Sequence, residues 1–120
     1  MQATLQPQEV EVFYILPAIR REFSIALKDL GKTQRQIALL LGVTEAAISY
    51  YMNQKRGSDV KFPYELALEI HKAAPNITDH ESMIRETQHI LDKAKLSKIT
   101  CELHKQVVSS IPQGCDVCFK

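Results

Sequence analysis

The stretch that decides the fold is TQRQIALLLGVTEAAISYYMNQKRG, residues 33–57. Thr33 and Thr44 each precede a run of helix-forming residues, and a threonine hydroxyl can accept a hydrogen bond from an unpaired amide in a helix's first turn. Gly42 lies between the two runs, where glycine adopts the left-handed backbone conformation at the lowest cost. The stretch therefore predicts two short helices joined by a tight turn.

Apolar residues in this stretch have the spacing that seals two helices against each other. The expected sealing residues are Ile37, Leu41, Val43, Ile48 and Tyr51. Ala38 supplies the small side chain needed where the helices would cross. The same spacing predicts that the outer face of the second helix carries Glu45, Ala46, Ser49, Tyr50 and Asn53.

Helical spacing continues on both sides. The upstream residues that recur at helical intervals are Ile19, Phe23, Leu27 and Leu30. Gly31 then supplies a helix stop. Residues 9–12 alternate as a strand would, but Pro7 ahead of them suits a helix's first turn. Downstream, Pro63 opens a helix that ends at Pro75. The fold class predicted is all-α, with four to five helices, further C-terminal helices and a short tail.

A division of the chain is predicted at the pair Pro75-Asn76, giving segments 1–75 and 76–120. Thr78 and Glu81 fit a capping box for the next helix. Its apolar positions are Met83, Ile84, Ile90 and Leu91. They form a narrow stripe that a short chain has little to cover, which predicts a partner helix and a homodimer assembled through residues 76–120.

Composition sets broad limits on function. Of the 120 residues, 45% are apolar and 24% are charged, which is typical of a globular domain. There are 15 basic and 14 acidic residues, a net charge of +1 that gives no electrostatic sign of nucleic-acid binding. No apolar run approaches the roughly 18 residues of a membrane span. The N-terminus lacks a secretory pattern, so we expect a cytoplasmic protein.

The motif at residues 33–57 resembles the helix-turn-helix of the Cro/CI repressor-like DNA-binding proteins, and most nearly that of small archaeal regulators. The phrases LPAIRREF, LGVTEAAISYYMNQKRG and a later C-x-x-H…C-x-x-C carry the resemblance. It implies that the second helix enters the major groove of double-stranded DNA. The residues implied in DNA contact are Gln34, Thr44, Glu45, Ala46, Ser49, Tyr50, Asn53, Lys55 and Arg56.

These residues have different implied roles. Gln34 would contact the DNA backbone, Glu45 and Ala46 would read bases, and Lys55 and Arg56 would contact phosphates. Family members often have Gln where Glu45 stands. Its carboxylate could accept a hydrogen bond from a cytosine amino group, or could merely favour the start of its helix. Both remain open, as does the alternative of a helical protein-interaction module without a DNA role.

Cysteine and histidine cluster at the C-terminus. Cys101 and His104 form a C-x-x-H pair. After ten intervening residues, Cys115 and Cys118 form a C-x-x-C pair. Three thiolates and one imidazole suit a tetrahedral Zn²⁺ site or an iron–sulfur cluster. The alternatives are a buried Cys101 and a redox pair or disulfide at the last two cysteines.

An enzymatic function has little support in the sequence. No phosphate-cradling glycine loop is evident, and no plausible Ser/His/Asp set occurs. We expect a regulator that acts on DNA, without catalysis and without a small-molecule substrate. The remaining histidines, His71, His80 and His89, are expected to lie at the surface.

Overall fold

The computed structural model describes residues 6–53 and 62–96. Every regular element within these ranges is helical, and no strand occurs in them. The all-α class predicted from the sequence is confirmed for this part of the chain. No helix in the described ranges is long and apolar enough to cross a membrane.

The first helix, α1, spans residues 7–29 in three continuous sections. It begins as Pro7–Val10, widens into a π-helical turn at Glu11–Ile15 and continues as Leu16–Asp29. The helical interpretation of the N-terminal segment is therefore confirmed. The π turn ends two residues before Pro17, whose nitrogen has no hydrogen to donate and whose ring would press on the carbonyl four residues earlier in a regular helix. We attribute the wide turn to this proline.

The buried face of α1 passes through the π turn without interruption. The amide of Leu16 bonds to the carbonyl of Glu11, five residues before it, in place of the usual four. Val10 and Ile15 are both fully buried at a spacing of five, and from Ile15 onwards the spacing returns to four. The buried residues that continue this face are Ile19, Phe23 and Leu27.

Gly31 ends α1 as the sequence predicts. Its φ of 93° is left-handed. The Gly31 amide bonds to Lys28 O at 2.9 Å, and the Lys32 amide bonds to Leu27 O at 3.1 Å. These are the two hydrogen bonds of a Schellman motif. Leu30, expected on the buried stripe, is exposed because it lies at this helix end and not on the packed face.

Helices α2, Gln34–Leu41, and α3, Glu45–Met52, follow closely. The Gln36 amide donates to Thr33 Oγ1 at 3.1 Å, and the Gln36 side chain accepts from the Thr33 amide at 2.8 Å. Thr44 caps α3 in the same manner by accepting from the Ala47 amide at 3.0 Å. Both predicted caps are confirmed.

Helix α4 is Tyr64–Ala73, followed by a 3₁₀ turn at Ala74–Asn76 and by α5, His80–Leu96. The predicted capping box at Thr78 and Glu81 is wrong by one residue. Asp79 Oδ1 instead accepts from the Ser82 amide at 2.7 Å, and Ser82 Oγ accepts from the Asp79 amide at 3.0 Å. Asp79 and Ser82 therefore provide the reciprocal cap of α5.

One apolar core joins the five helices of residues 6–53 and 62–96. Helix α1 packs against each of the other four, α2 also packs against α3 and α5, and α4 packs against α5. The largest fully buried core side chains are Ile15, Ile19, Phe23, Leu27, Ile37, Ile48, Ile70, Ile77 and Ile90. Because this core includes Ile90, it continues across the division predicted at residue 75.

The prediction that the chain leaves the apolar stripe of α5 uncovered is wrong at Met83 and Ile90. Met83 and Ile90 are 4% and 2% exposed, and Ala94 on the same side is fully buried. They belong to the common core, so the chain's own helices cover them. Ile84, which was expected on the stripe, is 51% exposed because it faces away from that core.

Candidate nucleic-acid interface

Helix α3 has a buried face and an open face. Ile48 is fully buried and Tyr51 nearly so, as the spacing predicts. On the other side, Glu45 and Ala46 are exposed, and half of the Tyr50 side chain is exposed. The short helix is therefore held to the core by one face, while the opposite face remains accessible to a partner.

A side-chain hydrogen bond joins the first turns of α2 and α3. Gln34 Nε2 donates to the main-chain oxygen of Glu45 at 2.8 Å. An amide nitrogen carries two hydrogens, so one N–H of Gln34 holds α3 and the other can serve an acceptor outside the chain. The bond fixes where α3 begins relative to α2.

The turn between these helices has the left-handed backbone expected at Gly42. Its φ is 71°. The Gly42 amide bonds to Leu39 O at 3.3 Å, and the Val43 amide bonds to Ala38 O at 3.0 Å. This is the same hydrogen-bond pattern that closes α1 at Gly31. Glycine is favoured here because a side chain at positive φ would be strained.

His80 packs on this turn, a contact that the sequence analysis missed. Its Nδ1 lies 3.0 Å from the main-chain oxygen of Leu40, and because a carbonyl can only accept, Nδ1 is the donor. A Cβ atom built on Gly42 would lie 2.5 Å from His80 Cε1. The ring is exposed, as predicted, but it also ties the start of α5 to the turn that precedes α3.

Several polar side chains near the open face of α3 already have partners. The Thr44 hydroxyl accepts from the Ala47 amide, which caps the helix. Asn53 Nδ2 donates to Ser49 Oγ at 3.5 Å. Asn53 is exposed and Ser49 is half-buried. The side chains on this face without such an engagement are the Glu45 carboxylate, the Ala46 methyl and the Tyr50 ring.

A shallow hollow lies beside this open face. Its volume is about 660 Å³. The described residues that line it are Thr44, Ala46, Ala47, Tyr50 and Tyr51. These described side chains carry no formal charge at neutral pH and combine methyl groups and tyrosine rings with the hydroxyls of Thr44, Tyr50 and Tyr51.

Charge is sparse across α2 and α3. Between residues 33 and 53 the ionisable side chains with formal charge are Arg35 and Glu45, one of each sign. Both are exposed. Any electrostatic attraction for phosphate must therefore come mainly from residues outside this pair of helices.

The perturbed carboxyl groups lie on other elements. The ion pair of Glu69 with Lys93, at 2.6 Å, lowers the pKa of Glu69. Hydrogen bonds from the Ser82 amide and side chain lower the pKa of Asp79. Burial raises the pKa of Glu11, although Lys95 opposes that rise. None of these groups contributes to the open face of α3.

Two sets of predicted residues lie outside the described residues. Lys55 and Arg56, expected to contact phosphates, belong to the first set. The expected metal ligands Cys101, His104, Cys115 and Cys118 form the second. Within residues 6–53 and 62–96, no group of three or more histidine, cysteine, aspartate or glutamate side chains is arranged to hold a metal ion.

Comparison with known proteins adds no relative. No protein family model, curated protein or solved structure matches the chain.

Proposed function

We propose that this protein is a sequence-specific DNA-binding transcriptional regulator, in which α2 and α3 act as a helix-turn-helix of the Cro/CI repressor type. The observation that supports this most directly is the pairing of α2 with α3. Two capped helices of eight residues each are joined through a left-handed glycine and held by the Gln34–Glu45 bond. The accessible face of the second helix is free to enter a major groove.

The dimensions of this arrangement fit the proposed role. An α-helix fits the major groove, and the side chains of its first turns reach base edges. Glu45 and Ala46 occupy the first turn of α3 and are exposed, while Tyr50 lies about one turn further along. Gln34 stands at the start of α2, where its second N–H can donate to a phosphate oxygen.

Selection of DNA tests the proposal directly. The full-length protein is incubated with a random duplex library, bound duplexes are recovered through several rounds, and affinity is measured against competitor DNA. We expect one sequence pattern to be enriched. An absence of enrichment, with no salt-dependent binding, contradicts the proposal and favours the alternative of a protein-interaction module.

Salt dependence tests the proposed phosphate contacts. If Lys55 and Arg56 each contact one phosphate, Lys55→Ala and Arg56→Ala should each reduce the slope of log affinity against log salt by about 0.9. Lys72→Ala, an exposed lysine on α4, is the matched control and should leave the slope unchanged. Equal slopes for all three variants and the wild type would remove Lys55 and Arg56 from the interface.

A homodimer on a palindromic operator is the assembly that we propose, since regulators of this type bind two half-sites related by two-fold symmetry. The large apolar side chains of α5 that remain exposed are Ile84 and Leu96. Light scattering of the full chain at micromolar concentration should give twice the mass of one chain. A mass of one chain for the free protein, together with a complex that holds only one chain per duplex, would contradict the dimer.

For the C-terminal segment we propose a Zn²⁺ or iron–sulfur site formed by Cys101, His104, Cys115 and Cys118. The chemistry of the four donors supports this, because thiolates and imidazole are the preferred ligands of both groups. Elemental analysis and visible absorption of protein prepared without oxygen distinguish the two. Protein with neither metal nor absorption would contradict the proposal.

A further inference from the structure

Several hydrogen-bonding groups at the open face of α3 are engaged within the chain. The hydroxyl of Thr44 caps the helix, and the amide nitrogen of Asn53 is bonded to Ser49. Gln34 is directed to the main-chain oxygen of Glu45 and so supports the helix from its start. Among the described residues, the Glu45 carboxylate is the one charged group on this face.

The side chains that project beside Glu45 offer a methyl group and an aromatic ring that carries a hydroxyl at its tip. Ala46 is exposed and presents only a methyl group, and Tyr50, one turn further along, is 50% exposed. Both line the hollow of about 660 Å³. Residues four apart on a helix lie on the same side, so the Ala46 methyl and the Tyr50 ring form one continuous surface.

The edges of base pairs in the major groove offer one apolar group. Guanine, cytosine and adenine present hydrogen-bond donors and acceptors there, whereas thymine adds a C5-methyl group. The Ala46 methyl and the faces of the Tyr50 ring can distinguish bases by contact with that methyl, whatever hydrogen bond the Tyr50 hydroxyl makes at the tip of the ring. This part of the exposed surface thus favours thymine.

We propose that Ala46 and Tyr50 are specificity-determining residues that read thymine through its C5-methyl group. This inference rests on the proposed function and names the base that this part of α3 recognises. The bond from Gln34 to Glu45 fixes the turn that carries Ala46, so the methyl surface is held in place before DNA binds. Burial of the thymine methyl between the two side chains contributes the discrimination.

Replacement of thymine by uracil tests the inference with a single methyl group per position. The duplex enriched by the full-length protein is synthesised with deoxyuridine at one thymine at a time, and the affinity of each version is measured by fluorescence anisotropy. Base pairing and backbone charge are unchanged. We expect about a four-fold loss of affinity at the thymine in contact with Ala46 and Tyr50, the loss typical of one buried methyl. Thymines outside the enriched sequence pattern provide the control.

Variants assign the effect to residues. In Ala46→Gly, the loss caused by uracil at the sensitive position should fall to less than two-fold, even if the overall affinity is lower. Tyr50→Ser should reduce the same loss, while Tyr64→Ser, an exposed tyrosine on α4, should leave it at about four-fold. Circular dichroism verifies that each variant folds. The uracil series measured with the wild-type protein tests thymine reading even if a variant does not fold.

Two failures are distinguishable. If no duplex is enriched, the proposed function fails and the inference fails with it. If a duplex is enriched but uracil is tolerated at every thymine, the DNA-binding function stands and thymine reading by Ala46 and Tyr50 is overturned. A sensitive thymine that keeps its full effect in both Ala46→Gly and Tyr50→Ser also overturns the inference.

Discussion

The imidazole of His80, in the first turn of α5, lies directly against Gly42, in the turn between α2 and α3. Its Nδ1 donates to the main-chain oxygen of Leu40 at 3.0 Å. Two elements that are far apart in the sequence are thus joined at the point where the proposed recognition helix begins. A side chain at Gly42 is disfavoured for two independent reasons, the left-handed backbone and the adjacent His80 ring, which would have to move.

Gly42→Ala should therefore destabilise the protein more than Gly31→Ala. Both glycines have positive φ, which costs another residue about 1–2 kcal/mol. A Cβ on Gly31 meets nothing within 4 Å, whereas one on Gly42 meets the His80 ring. Displacing that ring and losing its hydrogen bond should add about 1 kcal/mol to the loss of unfolding free energy in Gly42→Ala. Urea unfolding of the two variants measures the difference, and the double variant Gly42→Ala/His80→Ala should lose less than the sum of its parts. Equal losses for Gly31→Ala and Gly42→Ala would contradict the importance of the contact.

Removing the hydroxyl that caps α2 or α3 should weaken the fold. We expect Thr33→Ala and Thr44→Ala each to reduce the free energy of unfolding by about 1 kcal/mol, because an amide in the first turn loses its acceptor. Thr78→Ala is the matched control, since Asp79 occupies the capping position of α5. Chemical denaturation compares the three variants. A loss at Thr78 as large as that at Thr44 would show that the effect is not one of capping.

Ile90→Ala and Ile84→Ala test whether α5 shares the common core. Ile90 is buried and Ile84 is exposed on the same helix. Loss of the buried side chain should cost about 2–5 kcal/mol, and loss of the exposed one about 0.5 kcal/mol or less. Thermal or urea unfolding of both variants provides the measurement. A reversed order would mean that α5 packs through its other face.

Acid should selectively remove the contribution of the Asp79 cap. Because the Ser82 amide lowers the pKa of Asp79 below its ordinary value of 3.8, the folded state favours the charged carboxylate. The stability gained is present above that value and is lost as the pH falls through the lower pKa of the folded state. Asp79→Asn keeps a capping oxygen but does not titrate.

The comparison of Asp79→Asn with the wild type isolates this titration. Glu69, whose pKa is also lowered, titrates in both proteins and so cancels in the difference. The stability of the wild type relative to the variant should decrease as the pH is lowered from about 6 to about 2.5. A difference that stays constant with pH would contradict the assigned hydrogen bond.

Local features of the fold could be predicted from the sequence because each depends on a few neighbouring residues. Thr33, Thr44, Gly31 and Gly42 act within one helix turn, and all four have the predicted roles. The cap of α5 shows the limit of this approach. Thr78 and Asp79 both satisfy the local capping rule, and the structure selects Asp79, whose partner Ser82 also accepts hydrogen bonds from the amides of both Thr78 and Asp79.

Features that depend on the packing of helices distant in the sequence are harder to predict from the sequence. No local pattern places His80 on Gly42, since the partners are brought together only when α5 crosses α2. The sequence predicts the apolar positions Met83 and Ile90 on α5. It does not predict which helices bury them, because that depends on where the other helices lie. The outer face of α3 was more predictable because the burial of Ile48 and Tyr51 leaves Ala46 and Tyr50 on the opposite side.

The π turn at Glu11–Ile15 makes α1 unequally tolerant of changes in its length. A π turn holds about one residue more than an α turn. Deleting one residue inside it would leave Val10 on the buried face, now four positions before Ile15 rather than five. A one-residue deletion between Ile19 and Phe23 would rotate the rest of α1 by about 100° about the helix axis. Buried side chains such as Phe23 and Leu27 would then turn away from the core. Because Pro17 favours the wide turn, a one-residue gap in this helix among homologous chains should fall within residues 11–15 and should accompany replacement of the proline.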